Sequence, residues 1–297
     1  MSDTITAVAP SWRDYLELCK PRVVALMLVT AAVGMFLAVP GLPPLDIVVY
    51  ATLGIALVAS SAAVVNHVAD AQIDARMART RNRPIAQGRV APVPAIAFSA
   101  LIGIAGMAIL TYLVNPLTAW LNLASWVGYG LIYTLFLKRA TPQNIVIGGL
   151  FGATPPLFGW VAVTGSIETA PLLLVLIIFV WTPPHFWALA LDRLEDYTKA
   201  DVPMLPVTHG ESHTRRYIFF YTLTLIAASL APYIVGLSGT VYLVSAIGLG
   251  TGFLYWATAL LRGWRADAAI RTFRYSIVYL GGLFLALLVD HYTMQSW

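Results

Sequence analysis

Charge and cysteine are both scarce in this 297-residue chain. Only 11% of its residues are charged, against roughly a quarter in a typical soluble domain, whereas 59% are hydrophobic. The mean hydropathy is +0.77. The chain has one cysteine, Cys19, which excludes an intrachain disulfide and a metal site built from several thiolates. So little charge predicts a chain that lies in a bilayer.

Apolar stretches long enough to cross a bilayer recur along the whole sequence. A hydrocarbon core of about 30 Å needs about 20 helical residues, and continuous apolar runs exclude a β-barrel. We predict an all-α fold, a polytopic helix bundle that forms one membrane domain over residues 1–297, with no cleavable signal peptide. The nine predicted spans are 23–39, 47–65, 95–114, 117–137, 145–163, 172–191, 217–237, 241–261 and 276–289.

The basic residues are distributed unevenly between the two ends of the predicted bundle. With a cytoplasmic N-terminus, all 18 Lys and Arg residues fall in the N-terminal tail and in the loops after the second, fourth, sixth and eighth spans. The opposite side has only Asp46, Glu168 and Asp290 as formal charges. This pattern satisfies the positive-inside rule and predicts a bacterial-type inner-membrane protein with its C-terminus across the membrane. The net charge of +4 therefore requires no nucleic-acid partner.

Two predicted cytoplasmic loops differ from the short connectors elsewhere. The loops at about 66–94 and 191–216 are long and hold most of the carboxylates on their side of the membrane. Long polar loops beside a rigid scaffold commonly carry function. We therefore predict that catalysis takes place at these two loops.

The first loop begins with an acidic motif in which Asn66, Asp70 and Asp74 recur every four residues. If the second span continues through the motif as a helix, these side chains share one face. Two carboxylates at this spacing repel each other, and a divalent cation reverses the sign of that interaction. Hard oxygen ligands suit Mg²⁺, whose coordination is usually completed by water and substrate phosphates.

Arginines follow the first acidic motif directly. Guanidinium groups bind phosphate oxygens in a bidentate manner, so their density beside carboxylates favours a metal and diphosphate site. Each single arginine could equally serve membrane topology alone. The five residues are Arg76, Arg79, Arg81, Arg83 and Arg89.

The second loop contains a second acidic motif. Asp192 and Asp196 repeat the spacing of four, and Glu195 and Lys199 lie on neighbouring faces if the segment is helical. Two metal sites that face each other would clamp a diphosphate between them. The alternative is a solvated charged loop whose carboxylates pair with its own basic residues.

Lys138 ends the fourth predicted span, at the membrane interface. It could reach a phosphate or extend its ammonium group to water. The sequence alone slightly favours extension to water.

Several motifs resemble one enzyme family. The NxxxDxxxD motif at 66–74 and RMARTRNRP at 76–84 are similar to the first signature of the UbiA-type intramembrane prenyltransferases. Within that family, the resemblance is to the protoheme IX farnesyltransferases, or heme O synthases, over about residues 13–216. The motifs that carry it are KPR at 20–22, TPQNIVIGG at 141–149, ATPPLFGW at 153–160, PPHFWALAL at 183–191, and DY followed by PMLP within 196–206.

The resemblance implies a nine-helix bundle with a lateral, lipid-facing cavity where farnesyl diphosphate and Mg²⁺ bind at the two acidic loops. The catalytic residues it implies are Asn66, Asp70, Asp74 and Asp196. The metal carboxylates are Asp70, Asp74, Asp192 and Asp196, and the candidate substrate contacts are Arg76, Arg83, Lys138, Lys199, His185 and Tyr197.

The implied reaction transfers the farnesyl group to a vinyl group of heme B, giving heme O and diphosphate. Metal and cationic side chains stabilise the leaving diphosphate while an allylic cation forms. A terminal oxidase assembly or a heme A synthase is the implied recipient of the product. His185 or His67 could contact the heme iron or a propionate, or could instead be a neutral, hydrogen-bonded histidine.

Two other functions compete with this interpretation. A related prenyltransferase acting on a quinone precursor would use the same ions, but the PPHFWALAL and PMLP motifs argue against it. An ion transporter would need carboxylates near the middle of the membrane. The carboxylates here are predicted at helix ends and in loops.

Overall fold

The computed structural model describes residues 10–294, without the side chains of Arg139 and Met294, and every regular element in this range is helical. π-Helical turns extend α4 over Leu110–Val114 and α5 over Val127–Leu137. In chain order the α-helices are α1 (Trp12–Leu18), α2 (Pro21–Leu37), α3 (Leu45–Arg76), α4 (Pro92–Ile109), α5 (Pro116–Trp126), α6 (Lys138–Ala140), α7 (Asn144–Ala153), α8 (Pro155–Thr164), α9 (Thr169–Asp192), α10 (Leu194–Lys199), α11 (Leu205–His209), α12 (Glu211–Ile234), α13 (Thr240–Arg262) and α14 (Ala268–Met294).

The helices are long and apolar enough for a polytopic membrane protein. Within residues 10–294, eight helical units could each cross a bilayer, and the bent pair α1–α2 raises the number to nine if it counts as one span. The bend between α1 and α2 is 51°. The predicted fold class is confirmed.

Helix α3 is much longer than the bilayer requires. Its 32 residues extend about 48 Å at 1.5 Å per residue, against a hydrocarbon core of about 30 Å. The second span, predicted over 47–65, therefore continues through residues 66–74, which is the condition under which the motif residues share one helix face. The acidic motif is carried on a rigid helix rather than on a loop.

The fifth predicted span, 145–163, was expected to be one helix but consists of two. Helix α7 ends at Ala153, and α8 begins at Pro155 after the intervening Thr154. Pro155 and Pro156 lack the backbone N–H groups that a continuous helix needs at these positions, although proline suits the first turn of a new helix.

Helices α2 and α8 pack backbone against backbone. A Cβ atom on Gly159 would collide with the carbonyl of Ala31, and one on Gly34 would collide with the carbonyl of Pro156. Small residues at such crossings are a common way to pack helices in membranes. This crossing fixes α2, and with it the start of α2 beside the acidic motif.

A small apolar core joins the two predicted catalytic loops. Met77, directly after α3, lies in one buried cluster with Tyr197, Val202, Met204 and Leu205. The second loop is thus packed against the end of α3 by hydrophobic contacts. The fold brings both acidic motifs to the same end of the bundle.

Candidate active site

The first acidic motif forms a buried polar face on α3. Asn66, Asp70 and Asp74 are 4%, 1% and 3% exposed, respectively. Their spacing of four residues places them on one side of the helix. Buried carboxylates need partners, because an unpaired charge in an apolar interior is very costly.

Three basic side chains from different elements contact this face, and two of them pair with its carboxylates. Lys138 Nζ donates to Asp70 Oδ2 at 2.6 Å, and Arg83 Nη1 donates to Asp74 Oδ2 at 2.7 Å. Lys20 Nζ donates to Asn66 Oδ1. Asn66 Nδ2 in turn donates to Asp70 Oδ2 at 2.9 Å, so the Lys20 and Lys138 contacts join into one network.

The slight preference for Lys138 extending to water is wrong. Its side chain is only 17% exposed and is paired with Asp70. The last turns of the span lie directly against α3, so a buried carboxylate is within reach of the ammonium group. If Lys138 extended to water, Asp70 would be left as a buried charge without a counter-charge, which is strongly unfavourable. The ammonium group therefore stays paired with the carboxylate.

Sequence reasoning assigned no role to Lys20. It lies between α1 and α2 with a left-handed backbone, at φ 50°, and directly precedes Pro21. The sequence did contain a signal for this role, because the KPR motif places Lys20 at the start of a membrane helix. The bend between α1 and α2 turns this residue towards Asn66.

The π-helical segment after α5 shapes the wall beside Asn66. Thr134 Oγ1 donates to the carbonyl of Tyr129, five residues earlier, at 2.8 Å, and accepts from Asn66 Nδ2 at 3.3 Å. The rings of Tyr129 and Tyr133 stack with centroids 5.5 Å apart. π-Helical turns are frequent at functional sites, but the residue pattern of this span gave no warning of one.

One carboxylate oxygen at the centre of the network has no partner. Asp70 Oδ1 is buried and makes no hydrogen bond within residues 10–294, and the same is true of both ring nitrogens of His67. An orphaned anionic oxygen fits a bound cation. No group of three or more His, Cys, Asp or Glu that could hold a metal ion is found in that part of the chain. Mg²⁺ is usually held by one or two carboxylates, with water and substrate phosphates completing its coordination, rather than by a closed protein cage.

The second acidic motif is arranged differently from the first. Helix α9 ends at Asp192 and α10 begins at Leu194, so Asp192 and Asp196 do not share one continuous helix, contrary to the expected geometry. Asp192 is exposed and pairs with its neighbour Arg193 at 3.2 Å. Asp196 is half-buried on α10.

Exposed ion pairs surround this second motif. Lys199 Nζ lies 3.5 Å from Glu195 Oε2, and both side chains are exposed. Arg76 Nη1 lies 3.8 Å from Asp201 Oδ2 and links the end of α3 to the second loop. Such pairs contribute little stability, so these side chains are free to exchange partners.

Tyr197 is buried in the apolar cluster that joins the loops, at 4% exposure. Burial raises the pKa of its hydroxyl, Arg79 partly offsets the rise, and the adjacent Asp196 adds to it. The phenol therefore stays protonated. Its predicted contact with substrate stays a prediction.

His185 lies on α9, seven residues before Asp192. Its Nδ1 is 2.6 Å from Ser276 Oγ on α14. Its ring stacks on Trp181 and on Phe273, with centroids 4.1 Å and 4.7 Å away. The imidazole is therefore held in one orientation.

Comparison with known proteins identifies the family. The sequence profile of the UbiA prenyltransferase family matches residues 27–288. The chain belongs to this family. This UbiA-family chain is also 62% identical over 285 residues to protoheme IX farnesyltransferase 1 of Pseudomonas fluorescens, covering 96% of this chain and 95% of that protein. The resemblance predicted from the motifs is confirmed.

Solved structures share the fold at low sequence identity. A digeranylgeranylglyceryl phosphate synthase superposes with a TM-score of 0.80 at 20% identity, covering 95% of this chain and 98% of that one. A UbiA homolog from Archaeoglobus fulgidus bound to GPP and Mg²⁺ gives 0.65 at 14% identity, covering 92% and 99%. These likenesses show that the UbiA-family chain has the helical architecture of its family.

Proposed function

We propose that this UbiA-family chain transfers the farnesyl group of farnesyl diphosphate to a vinyl group of heme B, which yields heme O and diphosphate. The observation that carries the proposal is the 62% identity, over nearly the full length of both chains, to a protoheme IX farnesyltransferase. The buried network around Asp70 supplies the charges that a diphosphate leaving group needs.

Mg²⁺ is the proposed cofactor, held by Asp70 and Asp74 on one side and by Asp196, with Asp192, on the other. Asp70 Oδ1 offers a buried anionic oxygen with no hydrogen-bond donor among the described residues. Support also comes from the Archaeoglobus fulgidus homolog bound to GPP and Mg²⁺. When bound, the ion supplies Lewis-acid stabilisation of the diphosphate charge.

Three basic side chains beside the first acidic motif orient the leaving group. Lys138 and Arg83 are fixed by Asp70 and Asp74, and Lys20 is fixed by Asn66. Preorganised donors of this kind stabilise developing charge without reorganisation at the moment of reaction. We propose that these three side chains bind diphosphate oxygens, joined by Arg76 and Lys199 when the second loop meets the substrate.

The reaction then needs no strong base for carbon–carbon bond formation. The bond between farnesyl C1 and the diphosphate oxygen breaks, and the diphosphate leaves with the electron pair. The heme vinyl group attacks the allylic cation, water adds to the resulting benzylic-type cation, and one proton is lost to solvent. Burial of the site in the bundle limits premature capture of the farnesyl cation by water.

We also propose that the end of the bundle bearing the acidic motifs faces the cytoplasm of a bacterial inner membrane. The distribution of Lys and Arg supports this orientation. In a Cys19→Ser background, a membrane-impermeant thiol reagent should label Leu42→Cys from outside intact spheroplasts and Ser212→Cys only after lysis. The reverse pattern would overturn the orientation. The product would pass to a heme A synthase or a terminal oxidase assembly.

The decisive test is a reaction of membranes containing the chain with heme B, farnesyl diphosphate and Mg²⁺. Mass spectrometry should detect hydroxyethylfarnesyl heme, and a chelator should abolish it until Mg²⁺ is restored. Prenylation of an aromatic acid in place of heme, by the same inserted protein, would overturn the heme assignment and leave the family membership intact.

A further inference from the structure

The hydrogen bonds of Ser276 define the tautomer of His185. Ser276 Oγ lies 2.6 Å from the carbonyl oxygen of Phe273, to which it donates, and 2.6 Å from His185 Nδ1. A hydroxyl has one proton. Since that proton is donated to Phe273, Ser276 can only accept from His185, so Nδ1 carries the hydrogen and Nε2 keeps its lone pair.

The surrounding rings hold this lone pair in a fixed direction. Trp181 and Phe273 stack on the imidazole, at interplanar angles of 20° and 29°. Trp181 Nε1 also donates to the backbone carbonyl of Ser276 at 2.7 Å, which ties the stacking partner to α14. Within residues 10–294, the hydrogen bond of the His185 ring is made at Nδ1 and not at Nε2.

This arrangement is that of a metal-ligating histidine. Such residues bind the metal through one ring nitrogen while the other donates to a fixed acceptor. His67, the other histidine near the acidic motifs, has no such acceptor at either nitrogen among the described residues. His209 and His213 stack on each other in the exposed α11–α12 region.

We propose that His185 Nε2 is an axial ligand of the porphyrin iron of the heme substrate, and that Ser276 is its positioning residue. The inference rests on the proposed heme-farnesylating function. His185 lies seven residues before Asp192 on α9, about 10 Å along the helix axis. Ligation at this depth holds the porphyrin below the acidic motifs and presents its edge, which bears the vinyl groups, towards the allylic cation.

Spectroscopy of the purified full-length chain with ferric heme B tests this inference. The wild-type complex should give the optical and electron paramagnetic resonance signature of histidine-ligated iron, and His185→Ala should lose it. Ser276→Ala should weaken heme binding about 10- to 100-fold, as removal of an outer-shell partner does, and Ser276→Thr should restore it. His209→Ala, an exposed histidine with no assigned role, should leave the signature unchanged.

Iron-free protoporphyrin IX separates ligation from a loss of structure. Its binding should be the same in wild type and His185→Ala, because a porphyrin without iron gains nothing from an axial ligand. Retention of the histidine signature in His185→Ala would overturn the inference, and so would equal losses of heme and of iron-free porphyrin binding.

Farnesyl transfer measured on the same samples separates this inference from the proposed function. If wild type makes hydroxyethylfarnesyl heme but the signature does not depend on His185, only the ligation is wrong. If wild type prenylates another acceptor and not heme, the proposed function is wrong.

Discussion

The two acidic motifs share a spacing of four residues but occupy opposite environments. Asp70 is 1% exposed and accepts from Lys138 and Asn66, whereas Asp192 is exposed and pairs with its chain neighbour Arg193. The first motif is assembled before any substrate arrives. The second motif has weak pairs that are easily exchanged. Equal spacing in the sequence therefore does not imply an equal part in binding.

The difference follows from the helices that carry the motifs. Helix α3 continues unbroken to Arg76. It is flanked by the π-helical segment, which Lys138 directly follows, and by the α1–α2 bend, which contains Lys20. Helix α9 ends at Asp192 and is followed by the six-residue α10. We infer that the first motif provides a rigid half of the diphosphate site and the second an adaptable half.

The largest expected effect comes from removing the charge at the centre of the rigid half. Asp70→Asn should lower kcat/KM by about 10³-fold, the upper range for losing one preorganised electrostatic contact, because the metal and Lys138 lose their shared anion. Steady-state farnesyl transfer measures it. Asp46→Asn, at the far end of the same helix, is the matched control, and normal turnover by Asp70→Asn would refute the metal assignment.

Lys138→Met should lower kcat/KM by about 10²-fold and also destabilise the protein, by about 3–5 kcal/mol, because Asp70 is left buried and unpaired. Thermal unfolding in detergent and turnover measure the two effects. Lys138→Arg should keep most of the stability. If Lys138→Met unfolds at the same temperature as wild type, the buried Lys138–Asp70 pair does not stabilise the fold in the way that its geometry indicates.

In the adaptable half, Asp196→Asn should lower kcat/KM by about 10-fold to 10²-fold, mainly through a higher KM, and Asp192→Asn by less, because Asp192 is the more exposed of the two. Neither should change thermal stability measurably, since the Asp192 ion pair is at the surface. Substrate titrations with each variant measure the effect. A larger loss for Asp192→Asn than for Asp70→Asn would reverse the assignment of rigid and adaptable halves.

The smallest effect is expected at Lys199. Lys199→Gln should raise KM for the diphosphate substrate by about fivefold at most, because an exposed ion pair such as that with Glu195 is worth at most ~1 kcal/mol. Glu195→Gln, which removes the partner instead, is the control and should leave KM unchanged or lower it. A loss of kcat/KM comparable to that of Lys138→Met would show that the second loop contributes as much to substrate binding and catalysis as the first motif does.

Much of the fold could be predicted from the sequence, because apolar length and basic asymmetry are the dominant constraints on a membrane chain. The spacing of Asn66, Asp70 and Asp74 correctly predicted one helix face. The break at Thr154 was not predicted, although the prolines that follow it were visible. The π-helical segment had no signal, since its register depends on packing against α3 rather than on local propensity.

The candidate site was only partly predictable, for a related reason. Carboxylates could be found by spacing, but their partners come from distant segments: Lys20 is 46 residues from Asn66, and Lys138 is 68 residues from Asp70. No periodicity connects such pairs. Whether a lysine at a helix end meets water or a buried carboxylate depends on which helix lies beside it.

The backbone conformation of Lys20 determines which amino acid each kind of selection would favour at this position. A left-handed φ of 50° costs a residue with a Cβ about 1–2 kcal/mol, whereas glycine adopts it freely. A library screened only for thermal resistance should therefore enrich Lys20→Gly, and one screened for turnover should eliminate it. The position is one where the demands of folding and of chemistry select different amino acids.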